Sequence, residues 1–155
     1  MTVRANDDAF EQFLELWGRL CVESSSEGTV VVVEGERDRG SLRALGVTGP
    51  IHLVHHGLRL GALAQDLARS ARRAIVLTDW DATGGQLAQR LRELLSPGIV
   101  EVDLEFRRRL ARALRGEVVH VEGLHAWARR MAERSGAPLE HFLPPEVGGG
   151  PFPTG

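Results

Sequence analysis

At 155 residues the chain fits one domain with a core large enough to need no disulfide or metal staple, and 43% hydrophobic with 26% charged residues is ordinary globular composition. A single cysteine, Cys21, argues against a disulfide framework and a thiolate zinc site; the polar start from Met1 to Phe10 is unlike a secretory signal, and no apolar run approaches the roughly 20 residues of a membrane span, so a cytoplasmic protein without membrane contact is expected. The net charge of −2 hides an asymmetry: positions 1–58 carry five Arg against nine acids, positions 59–134 fourteen Arg against ten, and Lys is absent. A GC-rich genome explains an all-arginine set, and so does bidentate phosphate binding; the two are compatible.

Asp7 to Val22 has the spacing of an amphipathic helix, with Phe10, Phe13, Leu14, Trp17, Leu20 and Cys21 on one face and Asp7 or Asp8 as a first-turn cap. That aromatic stripe is expected to pack on a sheet, a partner surface being the alternative. Ser24 to Gly28 is a loop by composition. Thr29 to Val33 is a β-branched run apolar on both faces, as the interior of a parallel sheet requires. A short helix from Arg37 or Asp38 to Leu45 is stopped by Gly46. Ile51–Val54 reads as a second strand, Leu58–Ser70 as a helix, Ala74–Thr78 as a third strand and Gln86–Leu95 as the next helix, ending before Ser96-Pro97-Gly98.

Ile99–Val102 reads as a fourth strand, followed by an arginine-rich helix from Leu104 to Leu114, an apolar segment Val118–Val121 and a helix from Leu124 to Glu133. Alternating strands and helices predict an α/β fold with a mostly parallel four-stranded sheet flanked by helices. The expected organisation is an N-terminal helix and loop over 1–28, a core over 29–102, a helical extension over 103–143 and a Pro/Gly-rich tail over 144–155.

The chemistry concentrates in AIVLTDWDATGG, Ala74 to Gly85. Alternation along a strand would aim Asp79 and Asp81 to the same side. Two carboxylates so placed call for hydrogen bonds, solvent or a divalent cation, and a hard oxygen-seeking ion such as Mg2+ compensates them directly. Open parallel sheets collect ligands beyond the carboxyl ends of their strands. If the first and third strands are neighbours, Glu34 shares that crevice with Asp79, and Asp38, one helical turn after Glu34, joins them. Four carboxylates without a lysine require a metal, a raised pKa on one member, or both.

VVVEGERDRGSLRALG followed about forty residues later by VLTDWDATGGQLAQRL resembles the Toprim domain of bacterial-type primases, type IA and type II topoisomerases, OLD-family nucleases and the maturase of 5S ribosomal RNA precursors. More narrowly, the pattern looks like the small stand-alone Toprim proteins of archaea and bacteria, and the resemblance covers Thr29 to Val102. The resemblance implies a Toprim-like Rossmannoid fold, with Glu34 as general acid or base and Asp79 and Asp81 as the pair that binds Mg2+. Gly35 matches the glycine after the glutamate and would let the backbone turn beside a phosphate or metal; Gly84 matches the glycine opening the next helix; Asp38 matches an acid of the primase-like and maturase-like members. Many topoisomerases carry a third acid two residues after the pair. Here that position is Thr83, so a second ion would rest on Glu34 and Asp38.

Several residues have two readings. The helix after Gly84-Gly85 offers free amides to a phosphate, and Thr83 either caps it or presents its hydroxyl to a ligand. His55 and His56 either reach the crevice rim for metal or phosphate contact or are packed and solvated. Arg107, Arg108, Arg109, Arg112 and Arg115 form a basic face for a nucleic-acid backbone or pair with Glu101, Asp103 and Glu105. Arg37 and Arg39 flank the acids more closely and are candidates for phosphate contact. Trp80 is expected to point away from the aspartates, packing in the core, with base stacking as the alternative.

The resulting expectation is a Mg2+-dependent (Mn2+ possible) phosphodiester hydrolase acting on RNA or DNA, a nuclease or RNA-processing factor. The absence of tyrosine rules out a tyrosine-linked break within this chain. The alternatives are a catalytically silent module binding nucleic acid, a nucleotide or a protein, an accessory protein related to primases or topoisomerases, and an enzyme acting on a small phosphate ester.

Overall fold

A computed structural model describes residues 2–54, 60–99 and 101–144. The valine run forms β1 (Thr29–Val33), which pairs on one side with β2 (Ile51–Leu53) and on the other with β3 (Arg73–Val76); β4 (Glu101–Asp103) completes a parallel sheet of order β2-β1-β3-β4. Every residue of β1 is buried, because the strand is interior and both faces are covered. The register sets Val32 opposite His52 and Val76, so β1 and β3 end at one level and the segments after them emerge side by side.

Among the described residues six helices cover the sheet: α1 (Thr2–Ser24), α2 (Glu36–Ala44), α3 (Leu60–Ser70), α4 (Ala82–Leu95), α5 (Glu105–Ala113) and α6 (Leu124–Arg134), with 3-10 turns at Val121–Gly123 and Leu139–His141. Strand alternation divides the core. Val31, Val33, Ile75 and Leu77 pack with side chains of α1, α2, α5 and α6, whereas Val30, Val32, Ala74 and Val76 pack with α3 and α4. The first face holds the aromatics: Phe13 stacks on Trp17 at 5.1 Å between centroids and meets Trp127 edge-on at 5.4 Å. Trp17 is fully buried and its Nε1–H donates to the Leu45 carbonyl at 2.8 Å, so the stripe on α1 is core.

Several boundaries differ from expectation. The first helix starts at Thr2, leaving Asp7 and Asp8 exposed within it rather than at its cap. The third strand stops at Val76 rather than Thr78, and α4 starts four residues before Gln86 because Asp81 caps it. Gly46 follows α2 at φ +95°, the left-handed conformation that a chain-stopping glycine adopts. The His55–His56 pair, the start expected for the second helix at Leu58, Val100 and nearly all of the 144–155 tail lie outside the described residues. Among the described residues no helix is long and apolar enough to cross a membrane.

Candidate metal centre

Two connections build the site. After β1 the chain passes through Glu34 and Gly35 into α2, where the Asp38 carboxylate reaches back to accept the Gly35 N–H at 3.0 Å, the returning half of a capping box. Gly35 has an extended backbone (φ −154°), and a Cβ there would meet no atom within 4 Å. The chain bends through Glu34 and Gly35 without a left-handed residue, and the missing side chain of Gly35 leaves open space at the mouth of the crevice.

After β3 the chain turns through Thr78, Asp79 and Trp80 into α4, with Asp81 as N-cap accepting the Gly84 N–H on Oδ1 at 2.7 Å. This cap displaces Thr83, which is exposed in the first turn, and engages the Gly84 amide that had been assigned to phosphate. Gly84 has a steric role: a Cβ there would lie 1.8 Å from the Asp79 carbonyl oxygen. Thr78 Oγ1 donates to the Gly84 carbonyl at 2.8 Å, closing the same turn.

The aspartates thus do not share a strand face, since both follow the strand end. Their carboxylates converge for a different reason, the segment Val118–Glu122. Val121 N–H donates to Asp79 Oδ1 at 2.7 Å, and His120 Nδ1 lies 3.1 Å from Asp79 Oδ2 and 3.8 Å from Asp81 Oδ2. Trp80 fastens that segment, its main-chain N–H donating to Val119 at 3.1 Å and its Nε1–H to Val118 at 2.6 Å. The Trp80 side chain packs against the aromatic core, as expected.

Glu34 and Asp79 come together directly, the Asp79 N–H donating to Glu34 Oε2 at 2.8 Å. Glu34, Gly35, Asp38, Asp79, His120 and Glu122 line a crevice of about 340 Å³, with Arg37 on its wall. Asp38, only 6% exposed, has its pKa pushed up to about 6, first by burial and then by the charge of Asp79, with Glu34 and Glu122 adding to it against the Gly35 hydrogen bond. Of the two expected ways of relieving the carboxylates, a metal or a raised pKa, Asp38 supplies the second, chiefly through burial.

The site also contains two basic side chains that local sequence pattern does not place there, Arg107 and His120. Arg107 turns inward from α5: its Nε donates to Thr78 O and Oγ1, both at 3.1 Å, and its Nη2 to the Asp79 carbonyl at 2.7 Å. Burial lowers its pKa from the usual arginine value, against the opposing charges of Asp81, Glu34 and Asp79. His120 is drawn the other way: its hydrogen bond to Asp79 raises its pKa, against slight desolvation and with the charges of Asp79, Asp81 and Glu122 reinforcing it. The other arginines divide as their neighbours dictate. Arg108 and Arg109 pair with Glu105, and Arg39 with Glu36, whereas Glu101 and Asp103 pair with Arg73 at the sheet edge.

A divalent cation fits this donor set. Asp79, Asp81 and His120 each offer a ligand atom, all within 4.8 Å of one another, and carboxylate oxygens with one imidazole suit such an ion. The signal for His120 was one polar residue within VVHV, a stretch read only for its apolar character.

The chain matches the Toprim domain over residues 29–113. It is 39% identical over 112 residues to a UPF0292 protein of Pyrococcus furiosus, covering 72% of this chain and 82% of that one. It is 35% identical over 133 residues to one of Thermococcus gammatolerans, covering 86% and 96%, and 32% identical over 126 residues to one of Methanosarcina barkeri, covering 81% and 87%. A solved structure of an Aquifex aeolicus protein superposes with a TM-score of 0.57 at 28% identity, over 68% of this chain and 93% of that one. A Toprim domain implies divalent-metal binding and a nucleic-acid-related function, and the Asp-Asp-His cluster offers the donors such an ion needs. The chain belongs to the Toprim family, among the UPF0292 proteins.

Proposed function

We propose that this protein is a Mg2+- or Mn2+-dependent hydrolase of nucleic-acid phosphodiester bonds, a nuclease or RNA-processing factor of the cytoplasm. The observation that supports the reading is the 2.8 Å hydrogen bond from the Asp79 main-chain N–H to Glu34 Oε2, which ties the Glu34 carboxylate to the turn that carries the aspartate pair, within reach of a proton-transfer role. A divalent ion held by Asp79 and Asp81 supplies charge neutralisation at a phosphoryl oxygen. The chain's own residues do the rest. Glu34 is held through Oε2 and takes the proton of the attacking water on Oε1 as the bond from phosphorus to the sugar oxygen breaks; the departing oxygen takes its proton from solvent, to which Glu34 then returns its own. Arg107 fixes the Thr78–Asp79 backbone, and Arg37, exposed on the crevice wall, is placed for a flanking phosphate. Hydrolysis is favoured over a tyrosine-linked break because the chain contains no tyrosine.

The test is incubation of the full chain with end-labelled structured RNA, single strands and duplexes, with and without divalent cation. Cation-dependent product, lost in Glu34→Gln and in Asp79→Asn, is expected. Cleavage without cation, or undiminished in both variants, sinks the reading.

A second reading, a module that binds without cutting, draws on the pairing of Arg39 with Glu36 and of Arg108 and Arg109 with Glu105, which quenches much of the nearby positive surface. It predicts cation-dependent retention of one nucleic acid in the same panel, with no product.

A further inference from the structure

We infer that His120 is itself a ligand of the divalent ion and that its nitrogen makes this centre favour a borderline first-row ion such as Mn2+ over Mg2+. The inference rests on the metal centre proposed above and adds a donor from outside residues 29–113, the span matched to the Toprim domain. In each aspartate Oδ1 is taken by a main-chain amide, Val121 N–H for Asp79 and Gly84 N–H for Asp81. Both Oδ2 atoms are left facing one nitrogen, His120 Nδ1, at 3.1 and 3.8 Å. Ligands on neighbouring positions around an ion with bonds of about 2.1 Å stand about 3 Å apart or slightly more, so these separations need little adjustment.

His120 is exposed, but its backbone is not free to wander. Trp80 holds Val118 and Val119 through two hydrogen bonds, and Val121 is fully buried with its amide on Asp79. The segment after α5 is therefore pinned on both sides of the histidine. Orientation of ligands by such outer hydrogen bonds is what distinguishes a built centre from a chance cluster. The chemical consequence follows from donor softness: carboxylate and water satisfy Mg2+, whereas imidazole adds more to the binding of a first-row transition ion.

The competing role for His120 is a counter-cation that neutralises the two aspartates, and it predicts the opposite sign. Metal-stripped full-length protein is titrated calorimetrically with MnCl2 and with MgCl2, as wild type, His120→Ala and His120→Gln. A ligand role predicts that Mn2+ affinity falls at least about tenfold in both variants while Mg2+ affinity changes less than about threefold. Mn2+ affinity that is unchanged or tighter in His120→Ala, or equal losses for both ions, overturns the inference. Pulsed EPR of wild-type protein loaded with Mn2+ is independent of how the variants fold: nitrogen-14 coupling from a bound imidazole is expected, and its absence overturns the inference. Wild type that binds neither ion removes the metal reading as well, whereas wild type that binds both with His120→Ala unaltered removes this inference alone.

Discussion

Glu34 accepts the main-chain N–H of Asp79 at 2.8 Å, across 45 positions of sequence, and so joins the ends of two neighbouring strands. The bond gives Glu34 a structural role that can be separated from its chemistry. Glu34→Gln retains an acceptor for the amide, whereas Glu34→Ala leaves a partly buried donor without a protein partner. Chemical denaturation should place Glu34→Gln within about 0.5 kcal/mol of wild type and Glu34→Ala about 1–2 kcal/mol below it, with cleavage lost in both.

Gly84 and Gly35 make opposite predictions. Gly84→Ala drives a Cβ to 1.8 Å from the Asp79 carbonyl oxygen, so the turn that presents both aspartates must shift. A loss of about 2–3 kcal/mol is expected, together with weakened Mn2+ binding in calorimetry. Gly35→Ala adds its Cβ to open space on an extended backbone and should cost less than about 1 kcal/mol, the usual difference between glycine and alanine at a helix cap.

Much of this was readable from local pattern. Four valines in a row announce an interior strand, and the 29–33 segment has those bounds in the structure. The aromatic spacing on α1 likewise announces a buried face. Glu34, Asp38 and Asp79 gather in one crevice as the sequence reading expected, because parallel neighbours bring strand ends to one edge. What local pattern hid are the contributions of distant segments. His120 and Val121 reach Asp79 through the packing of a turn some forty residues away, and no period of two or 3.6 encodes that. Arg107 looked like its neighbours Arg108 and Arg109; only the position of α5 against β3 turns it inward. The convergence of Asp79 and Asp81 was anticipated from strand alternation, yet it arises from a cap and a neighbouring segment.

Arg107 and Arg108 are adjacent in sequence and should differ in consequence. Arg107→Met keeps apolar bulk but removes the donors to Thr78 and Asp79, an expected loss of about 1–3 kcal/mol in equilibrium unfolding. Arg108→Ala removes an exposed pair with Glu105 and should stay within about 0.5 kcal/mol.

Asp38 predicts a pH dependence. Its pKa rises from an ordinary 3.8 to about 6 on folding, so between those values the folded state binds more protons than the unfolded one. Stability of the metal-free protein from this group is therefore highest below pH 3.8, falls as pH rises through about 6 and levels off above. Asp38→Asn retains an acceptor for the Gly35 amide and abolishes the charge. The variant should exceed wild type by on the order of 2 kcal/mol at pH 7 in the absence of divalent cation, with the difference shrinking to about 0.5 kcal/mol at pH 4. Denaturant titrations at the two pH values check this.

The most direct test of the whole account is an anomalous difference map from a crystal of the full chain soaked in MnCl2. The account predicts an ion bounded by Asp79 Oδ2, Asp81 Oδ2 and His120 Nδ1, on the crevice that Glu34 lines. A map with no ion there at saturating Mn2+, or with Mn2+ bound elsewhere and those three side chains unliganded, would contradict it.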